Sequence, residues 1–588
     1  MLRMNLSTRS VCFALAVAAL APRPVAQACG GFFCQQVPID QIGEQIIFRQ
    51  DGGTTTAIVL IQYQGAAEDF SWVVPVPGVP EFSVGSSLLF QQLEPLTRPQ
   101  FGLDVEGERC FDPNGVVFDA GGAPAPEDNA ADGDDGVTVL EQVAVGPFDV
   151  VVVTSDDPDA LTQWLNDNNY DVSERGRQLI APYVADGFNF VAVRLQQDRE
   201  VGDIEPLRMV YQSSRPMIPI ALTAVAAQPD MGVATWILAE ARAIPTNYLH
   251  VIPNYSKLDW YAGGANAYAS YQDLITEAMD EVGGQGFATD YAGRDAELLA
   301  PLGDLPGALR DEAERLAAIE RPEFALAELV SFSPFPGAKV LELYRRHLPL
   351  DPNTPAFRYG DSSALAERFD AQTLRDALTR TLAELELTIT QPLEDTLRVF
   401  DGNPYLTRLY TTLSPEEMTL DPEFGFNDQL GDQGLARRAT LAVDCVAGQT
   451  QWSLTLGAGT GRDGELVIEA TGQPPFFGVP AALADQPAVK LAESLREASA
   501  DGDIIVDNDF EPVLRPETPG ANNGGGSTDN GGGDSTDNGD SGSDGVQLPC
   551  ALGAAPVLML MIGAWSSLRR ARRAVDTRTS RSASGGHP

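Results

Sequence analysis

Cysteines, two aspartate clusters, two histidines and one glycine loop are the groups in this chain whose types and spacing could do chemistry. Cys29, Cys34, Cys110 and Cys445 stand in the body of the chain, with Cys12 and Cys550 near its ends. In an oxidising compartment an even set suggests two disulfides, with three connectivities open. The favoured pairing is Cys29–Cys34, closing a tight loop over Gly30-Gly31-Phe32-Phe33, and Cys110–Cys445, tying an early segment to a late one. A zinc site from the same four is the sharper alternative, but no C-x-x-C spacing supports it. A redox pair at Cys29 and Cys34 fares little better, since the spacing is not that of a dithiol oxidoreductase and no helix start follows.

The acidic clusters are the strongest remaining signal. Asp128, Asp132, Asp134 and Asp135 lie in one stretch, and Asp501, Asp503, Asp507, Asp509 and Glu511 in another. Calcium takes six to eight oxygens from a turning loop, so Asp132, Asp134, Asp503, Asp507 and Asp509 are weak calcium candidates. Neither cluster follows the EF-hand frame, and a solvated acidic loop is the competing reading. His250 and His347 are the only histidines before the tail; a lone histidine is more often packed or paired than catalytic. Gly457-Ala458-Gly459-Thr460-Gly461 follows an apolar strand pattern, but alternation resumes after it at 465–470. A phosphate cradle needs a helix N-terminus there, so a hairpin loop is expected. There is no H-E-x-x-H, no P-loop and no G-x-S-x-G. No catalytic or cofactor-binding residue is assigned on this basis, and the balance leans away from an enzyme. Trp72, Trp236 and Trp260 could line a groove, though aromatics inside strand patterns more often build core.

The two ends carry an address. Arg3 and Arg9, an apolar run at 11–21 and Ala26-Gln27-Ala28 before Cys29 form a signal peptide, 1–28. Cleavage by ordinary signal peptidase is favoured over a lipoprotein signal at Cys29. At the other end a Gly/Asp/Ser/Asn-rich stretch, 516–547, reads as a disordered stalk. Segment 548–573 then joins Leu548-Pro549-Cys550, an apolar run at 551–568 and an arginine cluster at 569–573. Eighteen residues at ~1.5 Å each span roughly 27 Å, near the hydrocarbon thickness of a bilayer. The arginines place 574–588 in the cytoplasm and the large domain outside. The arrangement resembles the tripartite C-terminal sorting tails of myxobacteria and their relatives, which implies processing and lipidation at Cys550. A permanently retained transmembrane helix is the other reading.

Charge bounds the partners. Asp and Glu number 83 against 39 Lys and Arg, a formal net charge of -44. Removing the arginines of the leader and tail makes the exported part more negative still. That excludes a general affinity for nucleic acid or anionic lipid.

Hydropathy patterning sets out the elements that must position any site. Ranges 45–49 and 54–64 read as a hairpin around Asp51-Gly52-Gly53. Strands follow at 69–76, 137–145 and 148–154, with a short helix at 86–96 and a disordered insertion at 119–136. Asp157 and Pro158 supply an N-cap and first residue for the next helix. Strands are expected at 188–195, 207–212, 218–226, 233–238 and 248–252. The stretch 265–385 turns helical, at 267–282, 305–319, 322–330 and 363–385. Strands at 440–446, 451–456 and 465–470 close the domain, and from 472 the chain is expected to fray into the stalk. Elements come in blocks, so the fold class is α+β, with 29–515 as an exported globular region of two or three subdomains.

The run Ala28-Cys29-Gly30-Gly31-Phe32-Phe33-Cys34, the alternating strand pair and the stretch 70–78 are similar to a family of uncharacterised bacterial surface and exported proteins, domain of unknown function 2330. Stretches 146–149 with 156–170, 188–195 with 206–211, and 403–413 extend the resemblance over most of 28–450. It implies an exported protein, often with a C-terminal anchor; it implies no activity and no site residues. The expectation is thus a non-catalytic envelope-anchored module that binds an envelope component, partner protein or polymer. The alternative is an envelope hydrolase with a cryptic carboxylate site.

Overall fold

The structure, a computed structural model, describes residues 40–514 apart from 65–69, 108–137, 171, 197–203, 295, 349–357, 447, 473 and 475–477. The signal peptide, Cys29, Cys34, Cys110, Asp132, Asp134, the stalk, Cys550 and the apolar run at 551–568 lie outside the described residues. Among the described residues no helix is long and apolar enough to cross a membrane.

The described residues open with β1 (Asp40–Asp51) and β2 (Thr54–Gln64), an antiparallel pair in which Asp51 faces Thr54 across Gly52-Gly53. Gly52 sits at φ 57°, the left-handed backbone that such a two-residue turn demands. Then come β3 (Ser71–Val76), β4 (Glu81–Val84), α1 (Ser87–Thr97) and β5 (Gln100–Gly107). The hairpin β6 (Thr138–Val145) and β7 (Phe148–Thr154) leads to α2 (Pro158–Asp167), α3 (Glu174–Ala185), β8 (Asn189–Leu195) and β9 (Leu207–Gln212). Asp157 caps α2 as its sequence requires, Oδ1 accepting from Asp159 N at 2.9 Å with Pro158 as first helical residue.

Next are α4 (Ile220–Thr223), β10 (Ala227–Ala239), β11 (Arg242–Pro245), β12 (Leu249–Pro253), α5 (Gly264–Glu281) and β13 (Gly286–Gly293). The helical block follows as α6 (Ala296–Ala317), α7 (Pro322–Ser331), α8 (Gly337–His347), α9 (Ser362–Arg368), α10 (Ala371–Leu385) and α11 (Gln391–Leu397). The chain returns to strands with β14 (Tyr405–Leu413), β15 (Phe424–Asn427), β16 (Ala436–Val446), β17 (Gln449–Leu456) and β18 (Leu466–Thr471). It finishes with α12 (Ala481–Ala484), β19 (Val489–Ser494), β20 (Asp503–Asp507) and β21 (Val513–Leu514).

This is a mixed α+β architecture built on a ten-stranded sheet, order β20-β19-β12-β13-β14-β10-β1-β2-β9-β4. Alternate residues of β1 separate its two faces. Ile46 and Phe48 point one way, into a core shared with Trp72, Val74 and Val150 of the four-stranded sheet β3-β8-β7-β6. Ile47 points the other way, with Trp236 and Leu238 of β10, into a core closed by α1, α5 and the helical block. Trp236 is fully buried there, its Nε1 donating to Thr97 Oγ1 at 2.8 Å, which ties α1 to the sheet. The outer face of the four-stranded sheet is covered by α2 and α3 through Leu161, Trp164 and Ile180. A five-stranded sheet, β21-β18-β17-β16-β5, packs into the helical core.

Three expectations are corrected. Range 218–226 is no strand but the short helix α4 and its flanking turn, because an apolar run bounded by prolines fits either element by pattern alone. The helical stretch is interrupted by β13, nearly all buried, after Gly283 and Gly284 at positive φ close α5. From 472 the chain does not fray: β19 and β20 complete one edge of the ten-stranded sheet.

Candidate functional site

The face of β1 that meets the four-stranded sheet carries one acidic residue among apolar ones. Glu44 stands in line with Ile46 and Phe48, at positions i, i+2 and i+4, and is 5% exposed. All three line a cavity of about 280 Å³ between the sheets, and Ile46 and Phe48 also join the intersheet core. A shift of register between Gln41 and Gly43, seen against both β2 and β10, marks a β-bulge just before it. Residues three apart on a regular strand face opposite ways; the extra residue turns Gln41 and Glu44 to one side. Gln41 Nε2 accordingly donates to Glu44 Oε2 at 3.5 Å.

The floor of the cavity continues on β2 with Ala57 and Val59, and on β9 with Met209 and Tyr211. Trp72 and Val74 of β3 close it from the opposite sheet, and Leu222 of α4 from the side. Its mouth is polar: Ser214, Arg215 and Glu423 line it and are exposed. Arg215 Nη2 is held by Glu497 Oε1 at 3.1 Å.

Burial dominates the electrostatics. Desolvation pushes the Glu44 carboxyl up from 4.5 to about 7, opposed only by the hydrogen bond from Gln41. Tyr211, whose phenol also lines the cavity, is pushed above its ordinary value by burial alone. Near neutrality Glu44 therefore exchanges a proton readily, and either accepts from a donor or, protonated, donates to an acceptor.

The fold holds a second buried carboxylate, with the opposite solution. Asp290 of β13 is fully buried and Arg408 of β14 is 1% exposed; Asp290 Oδ2 and Arg408 Nη1 lie 3.4 Å apart. Tyr271 donates to Asp290 Oδ1 at 2.5 Å, while Arg408 Nη2 donates to Tyr268 Oη and Glu94 Oε1 at 3.2 and 3.3 Å. Arg437 donates to the Asp290 carbonyl at 3.0 Å and to Tyr255 Oη at 3.1 Å. This network locks β13, β14 and β16 to α1 and α5. Its carboxylate already has its cation.

The other candidates are dispersed. Cys445, on β16, is disulfide-bonded, and its partner lies outside the described residues. Asp503 is paired with Arg496 and Asp507 with Lys490, the latter at 3.4 Å, while Asp509 is exposed. They belong to one edge strand and its exit; among the described residues no three His, Cys, Asp or Glu side chains gather as a metal group. His250 Nδ1 sits 3.1 Å from Glu493 across the β12–β19 pair, and His347 Nε2 lies 2.8 Å from Glu384. The glycine loop 457–461 joins β17 to β18, whose antiparallel pairing makes it a hairpin connection. Trp236 and Trp260 are core; Trp72 alone of the three tryptophans reaches the cavity.

Residues 23–300 match the family model described as an uncharacterised protein conserved in bacteria, domain of unknown function 2330. Over that stretch the chain is similar to this family. The match runs from before β1 to the start of α6, so it contains Glu44 and every cavity residue except Glu423. It is narrower than the resemblance drawn from the sequence, since 403–413 lies beyond it. No curated protein and no solved structure matches the chain.

Glu44 escaped the reading of motifs because it belongs to none. Its signal was positional: an acid at the apolar-face register of a strand, where a core side chain is expected.

Proposed function

We propose that this chain is a non-catalytic module anchored to the cell envelope, and that it binds its ligand in the cavity around Glu44. The leader, the stalk and the tail at 548–573 support export and anchoring, with the domain outside and the C-terminus inside before any processing at Cys550. One observation carries the site: a buried carboxylate, with the Gln41 amide beside it, lines a cavity whose other walls are largely apolar side chains. Ligand pockets have this composition, a mostly apolar wall with few placed polar groups. The acidic surface argues for partners other than nucleic acid.

A hydrolase is the second reading, because two carboxylates of unlike environment, Glu44 and Glu423, line the same cavity. Glu423 is exposed at the mouth, and a binding role asks less of the pair. Native mass spectrometry of the protein from its own host tests the binding reading. A small molecule retained by the unaltered protein and lost from folded Ala57→Phe, which fills the cavity floor, supports it. Identical bound masses in both proteins would contradict it. Intact-mass analysis of membrane fractions with and without Cys550→Ala tests the anchor: a lipid-sized increment with loss of the tail, both abolished by the substitution, supports processing, and an unmodified full tail refutes it.

A further inference from the structure

A buried acid either keeps its proton or, once ionised, needs a compensating positive charge. Asp290 has Arg408 at 3.4 Å; Glu44, 5% exposed, has among the described residues only the Gln41 amide and lines the cavity. The missing element is a cation, and the space for it is present. We propose that the cavity takes an organic ammonium group on a compact apolar body, the ammonium against Glu44 and the body against Phe48, Trp72 and Met209. This rests on the cavity being the ligand site and names what that site selects.

The surroundings favour that chemistry. Trp72 and Tyr211 line the same cavity as Glu44 and offer aromatic surface, which attracts a cation and shelters alkyl or aryl carbon. The other titratable or charged groups lining the cavity are Tyr211, Arg215 and Glu423. Arg215 is engaged by Glu497, so no protein cation competes for Glu44 among the described lining residues. At about 280 Å³ the cavity suits a small molecule, at the low end of pocket volumes. Binding a cation there favours the ionised carboxylate, so the ligand displaces the proton that burial holds on Glu44.

Titration calorimetry on the full chain at pH 8 tests this with 2-phenylethylammonium and its neutral analogue 2-phenylethanol. The ammonium is expected to bind at least tenfold more tightly than the alcohol, and Glu44→Gln to abolish that preference. In the unaltered protein at pH 6.5, ammonium binding should release protons, read as a heat that changes with the ionisation enthalpy of the buffer. This second measurement stands even if the variant fails to fold. Equal affinity for alcohol and ammonium, a preference that survives in folded Glu44→Gln, or binding without proton release would overturn the cation assignment and leave the cavity as a binding site. Binding of neither probe would overturn the ammonium assignment, while a host-derived ligand lost in Ala57→Phe would still uphold the cavity.

Discussion

Gln41 Nε2 reaches Glu44 Oε2 across 3.5 Å, although the two residues stand three apart on one strand. Only the bulge between Gln41 and Gly43 makes that possible. It turns two polar side chains into a space that regular pleating would have filled with one, and so sets a carboxyl at the end of an apolar cavity. The glutamine is its sole hydrogen-bond partner among the described residues, and a long one, so burial governs the acid's behaviour.

The consequence for stability has a definite sign. The folded carboxyl titrates at about 7 and the unfolded one near 4.5, so the folded state holds the extra proton between those values. Glu44's contribution is fully present below pH 4.5 and is lost as pH rises through 7. The loss is about 3 kcal/mol by linkage, an order-of-magnitude figure. Glu44→Gln removes it: the variant should match the unaltered protein near pH 4.5 and exceed it in denaturant resistance at pH 8. Equal pH dependence in the two proteins would contradict a raised carboxyl.

Asp290 and Arg408 predict the opposite response to truncation. Arg408→Met leaves a fully buried carboxylate with only Tyr271 as its side-chain donor, and should cost about 3–5 kcal/mol. Combined with Asp290→Asn, the cost should fall well below the sum of the single changes. A double-mutant cycle on denaturation midpoints checks this; additive costs would show that the pair is uncoupled.

The disulfide of Cys445 is expected to lead to Cys110. β5 runs parallel to β16, with Gly107 beside Val443, and these strand positions precede the two cysteines by three and two residues. Peptide mapping without reduction should recover a Cys110–Cys445 pair, and a bridge from Cys445 to Cys29 or Cys34 would refute it. Cys445→Ser is expected to cost about 2–5 kcal/mol.

Local signals were read correctly wherever local chemistry decides. The β1–β2 hairpin follows from two glycines between alternating strands, and the start of α2 from Asp157 and Pro158. The failures lie where tertiary partners decide. β19 and β20 sit in a proline- and aspartate-rich stretch and become strands because β12 offers an edge to pair with. α6 starts at Ala296, ahead of the expected start at 305, and runs through Pro301, which ordinarily disfavours a helix interior. Glu44 is the deepest case: it falls just before the expected strand at 45–49, and whether it met a cation, water or a cavity depended on a sheet contributed by residues from Ser71 to Leu195.

A crystal structure of the protein purified from its own host, without added ligand, would test the site most directly. Extra density is expected in the intersheet cavity, with a donor atom within hydrogen-bond distance of the Glu44 carboxylate. A cavity closed by Trp72 or Met209, with Glu44 paired to a protein cation, would contradict it.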